Sequence, residues 1–173
     1  MLYSRVIVRA AFVAALALGS MWVAYGVWRT PSGTPPQIRH LGDGTIASLG
    51  ANTRLLALAG FPSRRELSLD GEALLKVPAG GQPLIVRTRL MHLEVRAPST
   101  LALTAWSRET GEEVEVLSGE VIVSKNYASP YRVPDDLHGG EMSMVNRTID
   151  LMEKETVDAP SLTSLRERAS RLK

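Results

Sequence analysis

The sequence predicts an all-β domain, either a jelly-roll-like sandwich or an irregular short β-helix of many short strands. One transmembrane helix precedes it and a short helical tail follows. Three observations predict this. From Ile38 to Val145 the apolar runs are short and rich in Val, Ile and Leu, and Gly, Pro, Asn or Asp interrupts them about every 8–15 residues, the spacing of all-β domains. Several runs alternate: in MHLEVRA, Met91, Leu93, Val95 and Ala97 fall on one face and His92, Glu94 and Arg96 on the other. Near the N-terminus, residues 10–28 carry no charge.

Residues 1–9 hold Arg5 and Arg9, and their charge predicts a cytoplasmic N-terminus. Residues 10–28 (AAFVAALALGSMWVAYGVW) would form a helix about 28 Å long, enough to cross the hydrocarbon core of a bilayer. Trp22, Tyr25 and Trp28 crowd one end, where interfacial aromatics sit. A cleaved signal peptide has the same order of charged start and apolar run. The length of the run and the lack of a small-x-small cleavage site favour an anchor in the inner membrane. Residues 29–37 contain three prolines and one glycine without apolar periodicity, and read as an extended linker.

Residues 38–145 form the predicted β domain. Candidate strands include TIASLG, TRLLALA, ELSLD, EALLKV, LIVRTR, MHLEVRA, LALTAWS, VEVLSG, EVIVSK, YRVP and EMSMV. One unit recurs: LDGEALLKV at 69–77, LSGEVIVS at 117–124 and LHGGEMSM at 137–144. It reads as a strand ending at leucine, a glycine taking the bend and a new strand beginning. Gly71, Gly119 and Gly140 would hold backbone angles closed to residues with a Cβ. Glu72, Glu120 and Glu141 then stand just past three corners, solvated or capping loop amides, a reading preferred over a metal or acid/base cluster. GDG at 42–44 reads as a turn. Residues 146–173 form the helical tail. Leu162, Leu165, Ala169 and Leu172 fall at helical spacing, Ser164 and Glu167 make a candidate capping box, and TIDLMEKETV suits a further helical turn or two.

The chain has 173 residues, a formal net charge of +2 and no cysteine. The charge balance makes no case for nucleic acid. The missing cysteines exclude disulfides, thiolate metal sites and cysteine nucleophiles. His40, His92 and His138 are not spaced as a metal pair, and no nucleophile elbow, phosphate loop or zinc-protease motif is present. RETGEEVE at 108–115 carries four glutamates around a hairpin tip, read as solvated rather than as a divalent-ion site. No catalytic, cofactor-binding or metal-binding residue is assigned, and no enzyme is expected.

Taken in order, these motifs resemble the FecR domain. The matching residues are Asp43-Gly44-Thr45, Leu49 with Asn52 to Arg54, Arg64-Arg65, Leu69 through Val77, Pro83 to Val86, Leu93 to Arg96, and Val114 through Val123, closing with LHGGEMSMV. Pro98-Ser99-Thr100 stands where the family commonly has L-G-T, which predicts a local change in strand pairing. The resemblance implies a single-pass inner-membrane protein with its main domain in the periplasm. That domain would bind a TonB-dependent transducer or another regulator in the control of an extracytoplasmic-function sigma factor. Nine residues precede the apolar run where the family carries an anti-sigma region, so the expectation is a truncated member. The alternative is a stand-alone envelope module that binds protein or glycan.

Overall fold

The computed structural model describes residues 35–172. The order is β1 (Gln37–His40), β2 (Ile46–Leu49), β3 (Arg54–Ala57), β4 (Glu66–Val77), β5 (Leu84–Arg87), β6 (Met91–Ala105), β7 (Gly111–Lys125), β8 (Asp135–His138), β9 (Glu141–Asn146), β10 (Leu151–Thr156) and α1 (Ala159–Ser170). The predicted cytoplasmic segment, membrane helix and most of the linker lie outside the described residues. Among those described, no helix is long and apolar enough to cross a membrane.

Three long strands build two layers. β4, β6 and β7 have 12, 15 and 15 residues, and each joins different partners in its two halves. Residues 71–77 of β4 pair β2 and residues 99–105 of β6. The first half of β7 pairs β6 and β9, and β1 and β10 complete the ends of this layer. Residues 66–70 of β4 pair β3 and β5, and residues 91–96 of β6 pair β5 and residues 120–125 of β7, with β8 outermost. All pairings are antiparallel except β4–β5, so strands do not stack in parallel as in a β-helix. Leu75, Leu101, Leu103, Val114 and Val116 of one layer pack with Leu67, Leu84, Leu93, Val121 and Val123 of the other in one fully buried cluster.

The recurring L-x-G-E therefore does something other than end strands. Gly71 (φ 130°) and Gly119 (φ 94°) lie inside β4 and β7, at the points where these strands pass from one layer to the other. Only Gly140 (φ 94°) lies in a turn, between β8 and β9. A bent strand loses ladder partners at the bend, and a hydroxyl replaces them. Thr53 Oγ1 accepts from Glu72 N (2.9 Å) and donates to Glu72 O (3.1 Å). Ser99 Oγ accepts from Glu120 N (3.2 Å). Pro98 has no N–H to give, and the β6–β7 register shifts between Arg96 and Thr100. Inward residues are six apart on β6, from Val95 to Leu101, but five apart on β7, from Val116 to Val121. The extra residue is a bulge in β6, the place a strand tolerates proline.

Beyond residue 130 the chain departs from expectation in three ways. Residues 151–156 are not helical but form strand β10, paired along its length with β9. The turn that starts it holds Asp150 at φ 52°, and this cross-strand pairing outweighs the helical spacing of TIDLMEKETV. The β domain thus runs past residue 145. The helix begins at Ala159, capped by Asp158, whose carboxylate accepts from Ser161 N (2.9 Å), with Pro160 in the first turn. Ser164 and Glu167 lie inside the helix. Asp158 and Pro160 close the strand and open the helix with the same residues, as an N-cap and an early proline do. Finally, YRVP is a loop, and the strand of this region is β8, just after it.

α1 lies on the outer face of the first layer. Leu165 and Leu172 pack with Leu74 and Ala102, against Ile46, Leu117 and Ala169. Lys76 Nζ donates to Leu172 O (3.3 Å). This cover explains why β4 is buried on both of its faces through Ala73, Leu74 and Leu75. Leu165→Ala should weaken this attachment by about 2–5 kcal/mol, the usual range for truncating a buried leucine. Hydrogen exchange should then quicken across 159–170 while the amides of β4 and β6 keep their protection; equal loss in both would show that the helix is integral to the core.

Candidate functional site

The DGT turn meets one member of the basic pair, Arg65, in the interior. Asp43 Oδ1 accepts from Thr45 N (3.0 Å) and Oδ2 from Thr45 Oγ1 (2.9 Å). Asp43 Oδ2 also receives Arg65 Nε at 2.9 Å, and both side chains are buried. Arg65 Nη1 donates to Gln82 O (2.7 Å). Arg64 is exposed and pairs with Glu66 (3.2 Å). Asp43 and Arg65 thus hold a turn, a strand start and a loop together.

The three glutamates do not converge. Glu72 lies beyond Gly71, Glu120 pairs with Arg96, and Glu141 takes Lys154 Nζ (2.8 Å) and His138 N (2.7 Å). The Lys154 contact holds the Glu141 carboxyl below its ordinary value. His40 is exposed on β1, His138 stands 3.6 Å from Glu141, and His92 sits on β6, where burial lowers its pKa. Among the described residues no three His, Cys, Asp or Glu side chains could hold a metal ion.

One glutamate of RETGEEVE corrects the reading of that segment as solvated. Glu112 is 2% exposed. Its carboxylate accepts from Thr88 Oγ1 and from Leu90 N (3.0 Å), fastening the β5–β6 turn. Glu112 starts β7 on the face that Val114 and Val116 continue inward, so the alternation itself buries it. Burial raises its pKa, against the Thr88 and Leu90 bonds that lower it. A raised folded pKa means stability that is present below the unfolded value, about 4.3, and is lost as pH rises through the folded value. Asp70, Glu141, Asp150 and Asp158 are shifted down and act in the opposite sense, losing stability as pH falls. Subtracting the melts of Glu112→Gln from those of the parent should leave a stability difference that moves against the parent as pH rises above the carboxylate range. A flat difference would mean that Glu112 titrates normally.

A second buried charge shapes the surface. Lys125, whose side chain is 2% exposed, ends β7 and gives its ammonium to Asp150 Oδ1 (2.8 Å), Asp150 O (2.7 Å) and Ser129 Oγ (3.2 Å). Asp150 also receives Tyr127 OH (3.0 Å) and Ser129 Oγ (2.8 Å). The Lys125 bond leads in lowering the Asp150 pKa, and burial with the Asp150 contact pushes Tyr127 up to about 12. This network ties loop 126–134 to the β9–β10 turn. Beside it opens a cleft of about 340 Å³ between the two layers, lined by Lys125, Tyr131, Val133, Asp135, Leu151 and Met152, with Asp150. Tyr131 (73% exposed), Val133 (81%) and Ile149 (68%) stand out from the surface here. Reading YRVP as a strand hides this site. Two prolines around an unalternated Tyr-Arg-Val are the available signal, whereas the Lys125–Asp150 pair spans 25 residues and leaves no local pattern.

The opposite side of the sandwich is laced shut: Arg39 Nη1 of β1 donates to Leu55 O of β3 (3.3 Å). Ile38 and Leu56 are exposed there.

The FecR protein family model matches residues 27–122. The chain belongs to the FecR family. No curated protein matches it. Two crystal structures of a "putative anti-sigma factor" from Parabacteroides distasonis ATCC 8503, at 1.65 and 2.50 Å resolution, are similar to it. Each is 28% identical with a TM-score of 0.64, covering 75% of this chain and 59% of the other. The chain thus spans about three-fifths of the length of those structures. Most of the FecR match falls on the two-layered β domain, and its DGT turn, Arg65 and the glycines of its first two L-x-G-E units are the structural ties described above.

Proposed function

We propose that this FecR-family chain is a membrane-anchored regulator that binds other proteins through its β domain and takes part in controlling an extracytoplasmic-function sigma factor. The similarity to the Parabacteroides anti-sigma factor candidate carries this reading, because at 28% identity it reaches beyond the shared fold. In this reading the apolar segment 10–28 anchors the chain in the inner membrane and the β domain stands in the periplasm. The partner is a TonB-dependent transducer or a second membrane protein bearing an anti-sigma region. Exposed strand edges and apolar side chains supply the contacts, as in other sheet-mediated recognition. No side chain is given a catalytic role.

Crosslinking of the tagged full chain in its own cells, followed by membrane pull-down and mass spectrometry, tests this. A transducer or an anti-sigma-bearing membrane protein is the expected catch, and deletion of the chain should change transcription from the corresponding sigma factor's promoters. Recovery of envelope-assembly proteins alone, with transcription unchanged, would overturn the regulatory reading in favour of a stand-alone envelope module.

A further inference from the structure

The cleft between loop 126–134 and β10 combines three features that together point to one kind of occupant. The first is charge. Lys125 spends its three donor positions on Asp150 and Ser129, so its charge is matched within the protein. Lys154 is matched by Glu141 (2.8 Å) and also donates to Asp136 O (2.7 Å). Asp135, on the cleft wall, accepts a bond from Ser143 Oγ (2.8 Å) and makes no ion pair among the described residues. Among the residues that line the cleft the unmatched charge is therefore negative, while Arg132 of the same loop gives its Nε to Ser129 O.

The second is an anchored apolar rim. Tyr131 and Val133 are among the most exposed large apolar side chains described, yet their loop is fixed from below. Ser129 Oγ accepts from Tyr131 N (3.0 Å), and Arg132 Nε donates to Ser129 O (3.0 Å). The ordering of this rim is complete before any partner arrives, which lowers the entropic penalty of association.

The third is the edge. Among the described residues β10 ends its layer and pairs with β9 alone, which leaves its outer backbone groups open to a further strand. A second copy pairs poorly in the two registers centred on the middle of this strand. Two-fold antiparallel pairing sets residues of the same face opposite each other. Centring on Glu153 places it against its own copy; centring on Lys154 places lysine against lysine and Glu153 against Glu155. Like charges directly opposite destabilise a strand pair.

We propose that this cleft receives an extended segment of a protein partner, with an arginine or lysine of that segment against Asp135. The aliphatic stem of the basic residue lies along Val133 and Met152, as long cationic side chains do on apolar surface. Apolar neighbours of the basic residue cover Tyr131 and Ile149. The inference rests on the protein-binding reading above and adds the place and the chemistry of the contact.

The test places a photo-crosslinking p-benzoylphenylalanine singly at position 131, 133 or 56 of the full chain in its native cells, with mass-spectrometric mapping of adducts. Leu56 is the exposed control on the far edge. Adducts are expected from 131 and 133 but not 56, on a partner segment with Arg or Lys among apolar residues. Asp135→Lys should cut their yield roughly tenfold or more, since like charges brought together suppress a complex. Asp135→Asn, which keeps an acceptor for Ser143, should cut it by less; a loss in both with normal hydrogen exchange in β8 and β9 excludes misfolding as the cause. Partner adducts from 56 alone, adducts only to another copy of this chain, a mapped segment without a basic residue, or yields indifferent to Asp135→Lys would each overturn the cleft assignment and leave protein binding standing. Absence of any protein adduct from all three positions would overturn both.

Discussion

Asp43→Ala is expected to destabilise the β domain by about 3–5 kcal/mol, the usual penalty for removing one member of a buried ion pair and leaving the other charged inside. Arg65 would lose its carboxylate partner while remaining buried, with Nη2 already lacking a hydrogen-bond partner and Nη1 held by Gln82 O. The guanidinium lies close against the loop at Gly80, where an added Cβ would stand only 2.7 Å from Nη1. The turn loses its own ties as well, because the same carboxylate takes the N–H and hydroxyl of Thr45. Asp43→Asn keeps an acceptor for Thr45 but not the charge, and should fall between the parent and Asp43→Ala. Arg65→Met combined with Asp43→Asn should lose less than the two single losses added, by about 1–3 kcal/mol of coupling, as for residues in one network. Urea titrations followed by circular dichroism measure all four. A loss under about 1 kcal/mol for Asp43→Ala would place the pair in the class of weak, solvent-screened surface bridges and refute its structural role.

What the sequence disclosed follows the range of the interactions concerned. Alternation is local, so the inward faces at Met91, Leu93, Val95, Val114 and Val116 were legible and are all buried. Alternation also carries Glu112 inward, but its charge suggests solvent; the Thr88 and Leu90 donors that make burial tolerable sit more than twenty residues away. The number of strands is overestimated from sequence for a related reason. A glycine inside an apolar run looks the same whether it ends a strand or bends one, and only pairing partners tell the two apart. The hydroxyls of Thr53 and Ser99, which replace the missing ladder bonds, come from other strands or turns. β10 reads as helix because Glu, Lys and Met favour helices, and its pairing with β9 overrides that preference. The cleft was illegible as a site because its two walls come from different layers. The FecR likeness was legible since it depends on the order of motifs along the chain.

The bends supply the second large effect. Gly71→Ala and Gly119→Ala should each lower stability by about 3–5 kcal/mol or prevent folding, through backbone strain added to overpacking. A Cβ on Gly71 would stand 2.8 Å from Thr53 Cα and 2.5 Å from its Oγ1. On Gly119 it would overlap Ser99 Oγ and stand 2.5 Å from Pro98 O. In both cases one clashing atom is backbone, so no change of side-chain rotamer relieves it, and any shift would break the hydroxyl bonds to Glu72 or Glu120. Gly140 shares the same left-handed backbone, at φ 94°, but a Cβ there meets nothing within 4 Å. Gly140→Ala should therefore show the conformational term alone, about 1–2 kcal/mol. The three substitutions are chemically identical and fall in the same sequence unit, so the spread between them isolates close approach from backbone strain. Ser99→Gly placed beside Gly119→Ala should recover little, because Pro98 O remains and Glu120 N loses its acceptor. Equal losses near the smaller value at all three glycines would mean that the bends are held by φ alone. A marked excess at 71 and 119 would show that the two layers are joined at points where only backbone fits against backbone.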